Sequence, residues 1–429
     1  MDRLLDAPAV KLADAIRERD VSSVEVVSAF LERIEALNPR VNAIVQVPAD
    51  LALARARLAD NALADGQPVG PLHGVPFTAK DIFATAGVVT TAGLTERATF
   101  VPETDAVVVA RLQAAGAILL GKTNCPPYGG GGVTDNPVYG RTNNPYNLEY
   151  SVGGSSGGEA AAQAAGLSPL GLGSDSGGSI RLPAHYCGVA GLKPTTGRVP
   201  NTGAFELPGG LTDARSQIGP MSRFVADLWP AFVAIAGPDW RDSGVVPVPL
   251  GDPASVSLEG LRLAWFDEDG VVMPTPATAE TVRQTATALD TAGLTVLYAR
   301  PPAMEEVGPV TRGYWGMRRL SGAEVEDNIL RWDRLRTTML AFMDNYDAIL
   351  CPADHQPAIP HGTDDPMQFA YTLAWSLTGW PCVVVRAGTS PDGLPINVQI
   401  VARPWREDVA IAVGLEVEKL FGGWQPATL

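Results

Sequence analysis

Two short loops of small residues carry the groups best placed to do chemistry: Gly153-Gly-Ser-Ser-Gly-Gly158, and Ser174-Asp-Ser-Gly-Gly-Ser179 further along the chain. A serine hydroxyl is a weak nucleophile and needs a base to take its proton. Two glycines directly before Ser179 free the backbone to bring several N–H donors to one point, as a developing oxyanion requires. One loop could therefore present both a nucleophile and its stabilising donors. The first loop also reads as a flexible linker, because Gly and Ser are the usual linker residues. The alanine run behind it favours a different reading, in which its serines stand at a helix N-terminus where free N–H groups favour negative charge.

The base can be sought one residue at a time, since the chain has only four histidines. His73 precedes the segment GVPFTAKD, His185 follows SIRLPA, and His355 and His361 lie in a Pro-rich loop. None has an acidic partner in a matching motif, although sequence distance leaves a Ser-His-Asp arrangement open. The other option is a lysine kept neutral by burial, which lowers its pKa towards the working pH. Lys80 fits best, because the apolar strand GVPFTA would carry it inward; the competing reading is a surface lysine paired with Asp81. Gly116–Thr123, GAILLGKT, matches the phosphate-loop pattern GxxxxGK[ST]. Its inner residues Ala, Ile, Leu and Leu ask for a buried strand, and Asn124-Cys-Pro-Pro127 starts no regular helix, so a nucleotide site is not expected.

The elements that must hold these groups alternate. Ser22 or Ser23 caps a helix over VEVVSAFLERIEALNPRVNAIV, and a second helix follows at Ala49–Asp65. DAVVVARLQAAGA reads as a helix, AILLGKT as a strand, SSGGEAAAQAAG as a helix start and PLGLGSD as a strand. After a Pro-rich crossing at Gly237–Pro253 come the strands LRLAWF, GLTVLYA, DAILCPA and PCVVVRAG, with the helix AETVRQTATALDTA between the first two. The pattern predicts an α/β fold: a single large α/β/α sandwich whose mixed central sheet is covered by helices on both faces. One domain is expected over 1–429. Within it, 1–70 forms an N-terminal helical cover, 71–205 the catalytic core, 206–345 a variable substrate mouth, and 346–429 the strands and helix that complete the sheet.

Composition excludes several classes. With 429 residues, 46% hydrophobic and 18% charged, the chain is globular, and its net charge of −15 repels polyanions, so nucleic-acid binding is not expected. Gly 45 and Pro 36 suit many tight turns rather than a helical bundle. Four scattered cysteines signal neither a metal cluster nor a disulfide framework, which points to a reducing, cytoplasmic setting with no metal and no cofactor. The charged first twenty residues lack the apolar core of a secretory signal. The longest uncharged run, Pro366–Val385, is broken by Gln368, Ser376, Gly379 and Pro381 and reads as helix, turn and strand rather than a membrane span.

GVPFTAKD, GGSSGGEAAA and GSDSGGSIRLPAHYCGVAGLKPTTGRV, in this order and followed by YTLAWSLTGWPCVVVRAG and DGLPINVQIVARPWREDVAI, resemble the amidase signature family over most of the chain. That resemblance implies a Ser-cisSer-Lys triad with Ser179 as nucleophile, Ser155 as the bridging serine after a cis peptide, and Lys80 as base. It places the oxyanion donors on the N–H groups of Ser176, Gly177, Gly178 and Ser179. Asp175 and Arg181 read as supports of that loop, or as a purely structural ion pair, and Ser156 and Ser174 as outlying members of the network. The chain departs from the family's pattern at CPPYGGGGV, where Tyr128, Gly129, Gly130, Gly131 and Gly132 would leave one pocket wall low, or else form a loop without ligand contact. Ser376 and Asn397 are further departures, and Gly203–Met221 and Met304–Met343 fall where relatives build a substrate mouth. The expected function is hydrolysis of linear amides or related acyl C–N bonds in a small molecule, including aryl amides, esters or carbamates, by an acyl-enzyme. The rivals are a glutamine-hydrolysing subunit of a tRNA-dependent amidotransferase and an inactive binding module.

Overall fold

Ser22 accepts from the Glu25 N–H while the Glu25 carboxylate accepts from the Ser22 N–H, and this reciprocal cap starts the helix Ser23–Val41. The helix ends sooner than its sequence pattern suggests. Asn42 turns left-handed, and the Asn38 side chain accepts from the Ala43 and Ile44 N–H groups and donates to Ile44 O. The residues that follow, Ile44–Gln46, become strand β1 instead of more helix. The N-terminal cover is thus helical except for one edge strand. The computed structural model describes residues 2–205, 207, 209–210 and 213–429, so positions 206, 208, 211 and 212 of the expected mouth segment lie outside the described residues.

The remaining strands are β2 (Pro76–Lys80), β3 (Ile118–Thr123), β4 (Leu170–Asp175), β5 (Ala190–Lys193), β6 (Gln217–Ser222), β7 (Arg262–Trp265), β8 (Thr295–Tyr298), β9 (Ala348–Pro352), β10 (Cys382–Thr389) and β11 (Pro395–Ala402). They make one mixed sheet in the order β1-β3-β2-β4-β6-β5-β10-β11-β9-β7-β8. The neighbours β3–β2–β4 and β9–β7–β8 run parallel and the other pairs antiparallel. Helices cover both faces, and the late strands join the same sheet as the early ones, as expected.

Ile118–Thr123 of GAILLGKT is β3, buried along its length, so the phosphate-loop match falls on a core strand. Strand β6 escapes pattern reading because QIGPMS carries Gly and Pro. Its Gly219 is needed there, since a Cβ would lie 1.9 Å from Leu192 O of β5. Met304–Met343 divides into the helices Val307–Gly316 and Gly322–Met343. The run Pro366–Val385 resolves into the helix Ala370–Thr378, a left-handed Gly379 and the start of β10. Among the described residues no helix is long and apolar enough to cross a membrane.

Candidate active site

Parallel strands β2 and β4 end side by side, which delivers Lys80 and Ser174-Asp175 to one carboxyl edge of the sheet. Residues two apart on a strand share a face, so Thr78 and Lys80 both meet the segment 155–159 that opens the helix Gly157–Ala164. Small residues make that approach possible. A Cβ on Gly158 would sit 2.4 Å from Asn124 N, and one on Gly171 would strike the Glu159 carboxylate.

Lys80 is fully buried, and its Nζ lies 2.6 Å from Ser155 Oγ, 2.9 Å from Ser174 Oγ and 3.3 Å from Gly129 O. A carbonyl can only accept, so Gly129 O takes one N–H. The three contacts fit an ammonium that donates to all three oxygens, and equally an amine that donates to Gly129 O and Ser174 Oγ and turns its lone pair to the Ser155 hydroxyl. Burial drives Lys80 down to about 8, against the pull of anionic Asp175 and Glu159. The rival pairing with Asp81 is absent: Asp81 faces Lys122 at 3.7 Å and accepts from Thr91 N and Oγ1.

Ser155 follows a cis peptide bond, Gly154–Ser155. The Ser156 N–H donates to Ser179 O at 3.1 Å, which ties the two serine loops together. Ser156 Oγ accepts from Ser174 N and donates to Ser174 O, so Ser156 holds the end of β4 while Ser174 touches Lys80 itself.

Asp175 organises the second loop. Its carboxylate accepts from the N–H groups of Gly178 (2.8 Å), Ile180 (3.1 Å) and Arg181 (3.4 Å), and from Arg181 Nε and Nη2 at 3.0 and 2.9 Å. Burial works to raise the Asp175 carboxyl, but the Arg181 guanidinium outweighs it and holds the group below its usual range. Arg181 spends its other donors on Thr372 O, Gln399 Oε1 and Ser376 Oγ, so Ser376 acts as a buttress. Because the Gly178 N–H belongs to Asp175, it is corrected out of the expected oxyanion set. The N–H groups of Ser176, Gly177 and Ser179 have no protein acceptor among the described residues.

Ser155, Ser174, Ser176, Gly177 and Ser179 line one cavity of about 500 Å³ together with Gly129, Gly130 and Gly131. Lys80 lies beneath it, behind Ser155. Tyr128 and Gly132 are not among its walls. Tyr128 stacks on Phe205, and Gly132 O accepts from Gln368 Nε2. No histidine lines the cavity. His73 bonds Ala59 O, and His185 accepts from Asn397 N and donates to Gln356 O. His355 bridges Asp354 (3.1 Å) and Asp365 (3.5 Å); these three bring ligand-type atoms together, but each ring nitrogen is directed at one carboxylate.

The sequence profile of the family described as Amidase matches residues 25–328 and 318–410. The chain belongs to the amidase signature family. It is 32% identical to an acylamidase of Rhodococcus erythropolis, covering 98% of this chain and 97% of that one. It is 36% identical to a glutamyl-tRNA(Gln) amidotransferase subunit of Geotalea daltonii, over 93% and 94% of the two chains. The solved structure of 6-aminohexanoate cyclic dimer hydrolase superposes with a TM-score of 0.89 at 27% identity, covering 99% of each.

Several residues of this amidase's site had no motif to announce them. Glu159 lies buried below Lys80 and accepts from Thr78, Thr123 and Gln163; burial pushes its carboxyl up to about 7 against those hydrogen bonds. A lone acid in the helix GGEAAAQA was its only signal. Leu207, Trp315, Asp365, Pro366, Gln368 and Phe369 complete the cavity from distant segments, which no local spacing connects.

Proposed function

We propose that this protein hydrolyses amides through an acyl-enzyme on Ser179, with Ser155 and Lys80 as a proton relay. The observation that carries the reading is the full burial of Lys80, with its Nζ 2.6 Å from the hydroxyl oxygen of Ser155. Lys80 accepts the Ser155 proton as Ser155 accepts that of Ser179, and Ser179 Oγ bonds to the carbonyl carbon. The N–H groups of Gly177 and Ser179, with that of Ser176, receive the oxyanion. The proton returns through Ser155 to the nitrogen, the C–N bond breaks and the amine leaves. Water then gives its proton to the same relay, bonds to the acyl carbon, and the carboxylic acid departs as Ser179 recovers its hydrogen. No step calls on a metal or cofactor.

The walls formed by Leu207, Trp315 and Phe369 suit an apolar or aryl acyl group, and the low wall of Gly129–Gly131 admits breadth. Aryl amides, and the related esters and carbamates, are the substrates of choice. Four unpaired, buried cysteines fit work in a reducing compartment such as the cytoplasm. Assay of p-nitroanilides, primary amides and aryl carbamates should show turnover that Lys80→Ala, Ser155→Ala and Ser179→Ala each abolish with the fold intact; retained hydrolysis in Ser179→Ala would refute the reading. A second reading, as the glutamine-hydrolysing component of an amidotransferase, is favoured by the likeness to the Geotalea daltonii protein. Co-purification with two partner proteins, and glutamine as the preferred amide, would support that reading instead.

A further inference from the structure

Arg215 is a cation the relay does not use, and it sits against the loop that would hold the oxyanion. Its side chain is fully buried, no carboxylate lies within ion-pair distance among the described residues, and its guanidinium packs over Tyr314 (4.8 Å) and Trp315 (5.2 Å). Nε and Nη1 have no hydrogen-bond partner among the described residues. An unpaired buried cation is costly, yet burial lowers this one only to about 10, so it keeps its charge at neutral pH. Among the described residues, its side chain makes one hydrogen bond, from Nη2 to Ser176 O at 2.8 Å.

That bond has a geometric consequence. In a trans peptide the C=O and the following N–H point in opposite directions. A donor that captures Ser176 O on one side therefore turns the Gly177 N–H to the other, and Gly177 is a wall of the cavity. The next two peptide planes are fixed in the same way, Gly177 O by the Thr372 hydroxyl at 2.5 Å and Gly178 O by the Leu182 N–H at 2.7 Å. The second of these turns the Ser179 N–H away from Gly178 O. A cation on the carbonyl also polarises the peptide and strengthens its N–H as a donor.

We propose that Arg215 is a positioning residue that aims and polarises the Gly177 N–H at the oxyanion of the transition state. This rests on the hydrolase reading of Ser179.

The test compares Arg215→Met, which keeps the apolar stem against Tyr314 and Trp315, with Arg215→Lys, which keeps a charged donor. For an aryl amide, Arg215→Met should lower kcat about 10-fold to 100-fold and leave KM within about two-fold. Affinity for a trifluoromethyl ketone analogue, which binds as a tetrahedral oxyanion, should fall by the same factor as kcat/KM. The acid limb of the pH profile should stay in place, and Arg215→Lys should recover part of kcat. Should the Met variant not fold, Arg215→Gln, with a donor but no charge, must show the same parallel loss. Unchanged kcat, a loss shared equally by KM, a displaced acid limb, or a Lys variant as impaired as Met would each overturn the inference. Wild-type protein that turned over none of the amides would sink the hydrolase reading and this inference with it; an active wild type with an undiminished Met variant sinks this inference alone.

Discussion

At the scale of single residues, the site works by desolvation. A lysine in water holds its proton far above neutrality, and the largest change made to Lys80 is to remove the water. Its folded value of about 8 predicts that kcat/KM rises with pH as the ammonium is lost, with half of the limb near that value. Glu159 opposes this, because its negative charge favours the ammonium. Glu159→Gln should therefore move the acid limb to lower pH, and a limb that stays fixed or moves upward would exclude Glu159 as a charge acting on the base. Ser174→Ala should change the pH-independent rate little but remove one acceptor of the Lys80 N–H groups, again lowering the limb. Both shifts are read from full pH profiles of purified protein.

At the scale of elements, the loop 176–180 is held by strand β4 on one side and the helix Arg181–Tyr186 on the other, with the Asp175–Arg181 pair as the bolt between them. Both partners are fully buried, so Arg181→Met leaves a carboxylate uncompensated and should cost about 3–5 kcal/mol of unfolding free energy. Denaturant titration measures it. Gly178 is held at φ +138, and a Cβ there would lie 2.3 Å from Thr372 Oγ1. Gly178→Ala should misplace the loop and reduce turnover about 100-fold, with the far-ultraviolet spectrum unchanged. These elements were also the most legible in the sequence. The glycines and serines of 153–158 and 174–179 marked two loops that the structure brings to one cavity, and of the two readings left open for Lys80 the structure shows the buried one. Gly178 misled, because a glycine-rich loop shows that its N–H groups are free to be aimed but not which of them a neighbouring carboxylate has already taken.

At the scale of the whole molecule, alternating strand and helix patterns were enough to anticipate a mixed sheet between helical layers. They could not order its strands. β5 and β10, nearly two hundred residues apart, are neighbours through side-chain packing that no local period records. The cavity was illegible for the same reason, since Leu207, Trp315 and Phe369 come from three segments joined only by the fold. On the hydrolase reading the purified protein should hydrolyse aryl amides without added partners; a requirement for partner proteins would transfer the case to the amidotransferase reading. The measurement closest to the central claim is the rate at which a fluorophosphonate labels Ser179 across pH 6–10. In wild type the rate should climb with loss of the Lys80 proton, around pH 8. In Lys80→Ala it should fall by about 100-fold or more and lose that limb. Labelling of Lys80→Ala at the wild-type rate, or with the same limb, would show that another group draws the proton from Ser179.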